Sequence, residues 1–210
     1  MIAAVIATLL TEQPPLRVCT PSPERSVELQ WSRATALTSP DRAWSIHLKP
    51  DIEGENNNSL LILVICKTMA EKIITRVTRK AAAIWNEGSK ELLIVNEPAA
   101  GEMDLEYFKF HIRRSTIVVS KSDAPNRAVT AALRRMRPSG YESSFRLIKI
   151  ESFNGKLITL LSSGVFDKKG GGASIPYCAR LTINTIGHVD KINEVTTSAD
   201  NVNEKCDYYP

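Results

Sequence analysis

The dipeptide Asn154-Gly155 constrains this chain more than any other local feature. It lies between two strand-like runs, Phe145–Phe153 and Lys156–Leu161, and both of its residues accept the positive φ that a tight hairpin turn demands. An antiparallel pair is therefore expected in the C-terminal half, and such a pair needs further strands or helices to cover its apolar face. Other runs supply them. Glu91–Val95 is short and aliphatic, while Leu105–Ile112 alternates, with Phe108, Phe110 and Ile112 on one side and Tyr107, Lys109 and His111 on the other. Thr116–Val119 is β-branched, Ala179–Ile186 follows a glycine-rich connection, and Leu60–Cys66 reads as a core strand.

Two helices are predicted beside these strands. Thr68 and Glu71 have the spacing of a capping box, and Met69, Ile73, Val77, Ala81 and Ile84 or Trp85 then recur at three- and four-residue steps as far as Asn86, with Gly88 as the stop. Lys72, Arg76, Arg79 and Lys80 take the other side of that helix. The second runs from about Ala124 to Met136. Asp123 precedes it as a cap, Pro125 is tolerated in the first turn, and Ala128, Val129, Ala132, Leu133 and Met136 form its apolar stripe. Arg127, Arg134, Arg135 and Arg137 lie outside that stripe. The order of elements predicts the α+β class: an antiparallel sheet with two basic amphipathic helices packed on one face.

Six of the 11 prolines fall in the first 50 residues, among Ser, Thr and charged residues. Such sequence favours extended or turn conformations, which predicts an extended, partly disordered arm over residues 1–58, a core over residues 59–195 and a polar tail over residues 196–210. Within the arm, Val27-Glu28-Leu29-Gln30-Trp31 and Trp44-Ser45-Ile46-His47-Leu48 alternate with period two and are expected to dock as edge strands. A length of 210 residues suits one domain with tails, and 43% apolar with 24% charged residues excludes a wholly disordered or collagenous chain.

The formal charge of +4 conceals a basic middle, since Leu105–Ile150 holds ten cations against three anions, an excess of +7. Clustered cations of this kind are expected where a surface meets phosphates, whether lipid headgroups or a nucleic-acid backbone. The basic surface expected from sequence comprises Lys72, Arg76, Arg79, Lys80, Arg113, Arg114, Lys121, Arg127, Arg134, Arg135 and Arg137. Phe108 and Phe110 are more often core than a base-stacking platform, so backbone contact is expected rather than base readout.

Catalytic signals are thin. In Lys168-Lys169-Gly170-Gly171-Gly172 the glycines follow the lysines, which is the wrong order for a phosphate loop, and the segment reads as an exposed mobile loop open to protein docking. His47, His111 and His188 are the three histidines; none lies in HExxH, and no serine lies in GxSxG. A non-enzymatic protein is expected, with no cofactor, metal or small-molecule substrate.

Cys19, Cys66, Cys178 and Cys206 are far apart, with no CxxC, and are expected to be reduced. Met1–Leu10 is apolar but too short to span a bilayer and lacks a basic flank, so neither a signal peptide nor a transmembrane helix is expected.

One succession has a known counterpart. Tyr107-Phe108-Lys109-Phe110-His111-Ile112, a connection containing Pro125 and Arg127, the helix Ala128-Val129-Thr130-Ala131-Ala132-Leu133, then Tyr141 and Phe145-Arg146-Leu147-Ile148 resembles the central part of rhabdovirus matrix proteins, in a plant-infecting branch. The resemblance covers under a quarter of the chain. It implies a virion structural protein that condenses nucleocapsid, self-associates and binds anionic membrane during assembly and budding, located in the virion and in the host-cell cytoplasm or at the membrane periphery. The arm departs from some members, because Gln13-Pro14-Pro15-Leu16 only partly echoes PPxY and the terminus is not lysine-rich. The alternative expectation is a nucleic-acid-binding viral accessory protein, such as a movement protein or silencing suppressor.

Overall fold

A computed structural model describes residues 18–22, 26–30, 36–52, 58–99, 102–196 and 206. The apolar run at residues 1–10 and most of the tail lie outside the described residues. Four strands form one antiparallel sheet in the order β2-β3-β4-β5: β2 (Ala36–Thr38), β3 (Trp44–Pro50), β4 (Ser59–Ile65) and β5 (Ala70–Val77). The second sheet begins with β1 (Ser26–Gln30), β6 (Lys80–Trp85), β7 (Glu91–Ala99) and β8 (Glu102–Arg113), paired in that order, with β9 (Thr116–Ser122) folded back on β8. It continues through β10 (Tyr141–Phe153), β11 (Leu157–Lys168), β12 (Ile175–Asn184) and β13 (Val189–Thr196). One parallel pair, Arg146 opposite Glu102, joins the two halves of that sheet. The helix α1 (Ala124–Met136) connects them.

Strand β7 explains the layering. Its run Leu92-Leu93-Ile94-Val95 is buried throughout, and because successive side chains point to opposite faces, both faces of the strand must be covered. Leu92 and Ile94 join Ala81, Ala83, Trp85, Phe108 and Phe110 in a core shared with Trp44, Ile46, Leu61 and Leu63 of the four-stranded sheet. Leu93, Val95, Leu105 and Tyr107 face the other way, into a core with Ala128, Val129, Ala132 and Leu133 of α1 and with Ile158, Leu160, Tyr177 and Leu181 of the C-terminal strands. The described residues thus form three layers with the β6–β8 strands in the middle.

This corrects the α+β expectation. The structure is mostly β, with a single α-helix of more than one turn among the described residues. The helix expected from Thr68 to Asn86 is instead the β5 and β6 strands. Thr68 caps no helix; its Oγ1 accepts from the Ala70 amide within a turn, and Glu71 pairs with Lys49 across the sheet. The three- and four-residue steps were coincidental, since Met69 and Ile73 are more than half exposed, whereas Ala81, Ala83 and Trp85, two residues apart, are buried. The β-branched cluster Ile73-Ile74-Thr75 and Val77-Thr78 fits a pleated strand better than a helix. Within the expected arm, Ser26–Gln30 forms β1 at one edge of its sheet, while β2 and β3 belong to the four-stranded sheet, with β3 between β2 and β4 and Leu37, Trp44 and Ile46 in the core.

The Asn154-Gly155 hairpin forms, joining β10 to β11. Asn154 Oδ1 accepts from the amides of Lys156 and Leu157. Gly155 has φ +86°, and a Cβ there would come within 2.9 Å of Asn86 Nδ2 and Glu91 Oε2. Glycine is therefore required twice, by the turn and by the seating of its tip on the β6–β7 connection.

The reduced cysteines expected from sequence are also corrected. Cys19 pairs with Cys66 and Cys178 with Cys206, at Cα separations of 5.5 and 6.2 Å, both within disulfide range. Their partners are 47 and 28 residues apart in sequence, too distant for any spacing rule to reveal. Closing loops of this size restricts the unfolded chain, so Cys19→Ser/Cys66→Ser and Cys178→Ser/Cys206→Ser should each lower unfolding free energy by about 2–4 kcal/mol, the first slightly more. Denaturant unfolding with and without reductant measures this, and an unchanged midpoint on reduction would count against the bridges.

His47 on β3 is 1% exposed, and its Nδ1 has no hydrogen-bond partner among the described residues. Burial lowers its proton affinity; Glu71 opposes that effect and Lys49 adds to it. The folded chain therefore keeps the imidazole neutral while the unfolded chain protonates it below about pH 6.5. Stability should be complete above pH 6.5, fall as pH drops from there toward the lowered folded-state value, and level off below it. Thermal unfolding of His47→Gln across that range should lack this component of the slope.

Candidate anion-binding surface

Two helical faces were expected to carry the cations together, and the three-layer fold separates them. Lys72 and Arg76 lie on β5, the outer edge strand of the four-stranded sheet, Lys80 begins β6 of the other sheet, and Arg79 lies in the connection between them. The four-stranded sheet packs on one face of β6–β8, whereas α1 packs on the opposite face. Arg113 and Arg114 sit at the β8–β9 turn. Several cations are already neutralised locally: Arg76 by Asp51 at 3.2 Å, Lys80 by Glu97 at 3.8 Å, Lys121 by Glu106 at 2.7 Å, and Arg127 by Asp123. Asp123 is accordingly held below the usual carboxylate range by its hydrogen bond from Arg127. It makes no side-chain cap on the helix.

The last turn of α1 is different. Arg134, Arg135 and Arg137 are exposed and have no ion pair among the described residues. Cations at a helix C-terminus also meet the negative end of its dipole, so the fold holds them there without penalty. Arg134 and Arg137 line a cleft of about 380 Å³ between α1 and β10, together with Thr130, Ser143, Glu142 and Arg146.

The expected loop reaches the same place. Lys168 ends β11, and the turn over Gly170, Gly171 and Gly172 leads into β12, all exposed. It is tied to the cleft at one point: the Lys169 amide donates to the Gly140 carbonyl at 2.8 Å and its ammonium pairs with Glu142 at 2.8 Å. Lys169 first, through that hydrogen bond, and then Arg137 by its charge keep Glu142 below the usual carboxylate range. Arg134, Arg137 and Lys169 thus converge, while Lys72, Arg79, Arg113 and Arg114 do not.

Arg146 was absent from the expected surface, and it is the residue on which the cleft is built. Its side chain is 16% exposed, and its guanidinium donates to the Met103 carbonyl (2.6 Å), Asp104 (3.1 Å) and Thr130 Oγ1 (3.1 Å). Asn126 of α1 completes the network by donating to Asp104 and accepting from the Leu105 amide. One side chain therefore links β8, β10 and α1 at the only strand pair joining the two halves of the sheet among the described residues. The sequence signal was weak: a lone arginine in the otherwise apolar stretch Phe145–Ile148.

Phe108 and Phe110, the candidate stacking rings, are 0% and 1% exposed and pack on Trp44 and Trp85. They are core. Among the described residues no group of three or more His, Cys, Asp or Glu side chains is arranged to hold a metal ion, and no helix is long and apolar enough to cross a membrane. Comparison with protein-family models, with curated proteins and with solved structures finds no match to this chain.

Removing a charged donor that serves three acceptors should cost about 2–3 kcal/mol. Arg146→Met is therefore expected to lower the unfolding free energy by that amount, whereas Arg135→Gln, which breaks no side-chain hydrogen bond or ion pair among the described residues, should stay within about 0.5 kcal/mol of the parent. Equal effects of the two substitutions on a denaturant midpoint would remove Arg146 from this role.

Proposed function

We propose that this chain is a non-enzymatic binding protein that docks on a phosphate-bearing anionic surface through the end of α1, with anionic lipid headgroups as its first partner. The observation that carries this reading is the group Arg134, Arg135 and Arg137, exposed, without ion pairs among the described residues, and adjoined by the Lys168-Lys169 turn. A matrix-type role of the kind implied by the central resemblance supplies two such polyanions, the membrane and the nucleocapsid, and self-association would multiply the contact. A nucleic-acid backbone is the second reading. It draws on the same arginines, but the buried Phe108 and Phe110 leave it no stacking platform on that strand.

Near an anionic bilayer each basic residue contributes about 1 kcal/mol. Arg134→Gln, Arg135→Gln and Arg137→Gln combined should therefore weaken binding to vesicles containing phosphatidylserine by about 100-fold. Binding of the parent should fall with added salt and be absent on neutral phosphatidylcholine vesicles. Cosedimentation reads all three. Equal binding to neutral vesicles would sink the proposal, as would steep salt-dependent binding to RNA with none to anionic vesicles.

A further inference from the structure

Four connections meet at the end of the sandwich formed by the four-stranded sheet and the β6–β9 strands. They are the turns 39–43, 66–69, 86–90 and 114–115. Each holds at least one non-glycine residue in the left-handed region: Arg42 (φ 60°), Met69 (55°), Ser89 (58°), and Arg114 with Ser115 (49° and 66°). Such conformations cost on the order of 1–3 kcal/mol each and persist where the surroundings hold them. Here the holding groups are visible. The Asp41 amide donates to the buried Ser89 Oγ at 2.9 Å, joining a turn of one sheet to a turn of the other. The Cys66 amide donates to the Ala43 carbonyl, and the Cys66 sulfur is bridged to Cys19.

Between these turns lies a cavity of about 850 Å³, within the range of sites that bury small ligands. Its floor is apolar, formed by Trp44, Ile65 and Phe110, with Ile112 half exposed at the rim. Its polar margin is cationic. Arg42, Lys67 and Lys90 are exposed and form no ion pair among the described residues. The one carboxylate at the margin, Asp41, is already engaged, accepting from Ser39 Oγ at 2.7 Å and from the Ala43 amide at 2.9 Å. An apolar floor beneath unpaired cations matches a ligand with an aliphatic body and one anionic head.

We propose that this end of the sandwich binds a medium-chain fatty acid, the alkyl chain lying on Trp44 and Phe110 and the carboxylate held by Lys67, Lys90 and Arg42. The site is separate from the α1 surface and does not depend on the lipid-docking reading. Decanoate below its micellar concentration is the probe, followed by calorimetry and by tryptophan fluorescence, since Trp44 lines the floor. The full disulfide-bonded chain should take up decanoate saturably at one site, with decanol at least tenfold weaker and acetate undetectable. Loss of charge-assisted hydrogen bonds to the head should make Lys67→Gln/Lys90→Gln about tenfold weaker for decanoate while leaving decanol unchanged. Both positions are exposed, so thermal unfolding should confirm an intact fold. The Arg134→Gln/Arg135→Gln/Arg137→Gln chain should bind decanoate as the parent does. Absence of saturable binding, equal affinities for decanoate and decanol, acetate binding alone, or an unaltered double variant would each overturn the proposal.

Discussion

Burial of the β6–β8 strands on both faces is the constraint from which the rest of the structure follows. Strand β7 places four consecutive aliphatic side chains, Leu92 to Val95, in two cores. At roughly 1.5–3 kcal/mol for each large apolar side chain removed from water, neither face of this strand is stable when bare. The four-stranded sheet covers one face, and α1 with the C-terminal strands covers the other. Each cover is needed for the other to form, because a half-covered β7 would still expose Leu93 and Val95 or else Leu92 and Ile94.

That arrangement also decides where charge can collect. The cations of β5 and those of α1 are sent to opposite sides of the middle layer. On β5 and β6, Arg76 is paired with Asp51 and Lys80 with Glu97. The cleft beside the end of α1 holds two carboxylates, Glu102 and Glu142; Glu142 is engaged by Lys169, and Arg134, Arg135 and Arg137 form no ion pair among the described residues, so they keep most of their field. The single parallel pair at Arg146 and Glu102 is a weak seam by backbone bonding alone. The guanidinium of Arg146 strengthens it, which binds the stability of the seam to the shape of the cleft beside the α1 arginines.

What the sequence made legible were features with short-range causes. The Asn154-Gly155 hairpin depends on the positive φ of Gly155 and on the side-chain oxygen of Asn154, and α1 on a four-residue periodicity flanked by Asp123 and Pro138; both form. The alternation at Leu105–Ile112 and the run Leu60–Cys66 are strands for the same reason. Residues 68–86 were misread because the capping-box spacing of Thr68 and Glu71 and the three- and four-residue steps from Met69 to Ala81 imitate a helix, while in the chain Ala81 and Ala83 are small inward-facing residues beside Trp85 and Phe110, which pack edge to face. Tertiary packing overrode the local pattern there. The disulfides had no local cause at all, since each depends on two segments brought together only by the completed sheets. Arg146 was obscured for a related reason: by sequence only one of the ten cations between Leu105 and Ile150, it is a tether once β8 and α1 are in place.

The two charged regions differ in the physics they use, and this follows from their shapes. At the end of α1 the cations are exposed and sit at the margin of a polar cleft, so attraction there acts at a distance and is screened within about 10 Å at moderate salt. It suits an extended, repetitive array of phosphates. At the open end of the sandwich the cations rim an apolar hollow whose turns are pinned by Ser89 and Cys66. Attraction to a head group there would be supplemented by burial of a chain, which salt does not weaken. A hollow held open by cross-sheet hydrogen bonds loses little freedom on filling, the condition under which modest apolar contact becomes affinity. The disulfide at Cys66 therefore bears on more than stability, because it anchors one wall of that hollow.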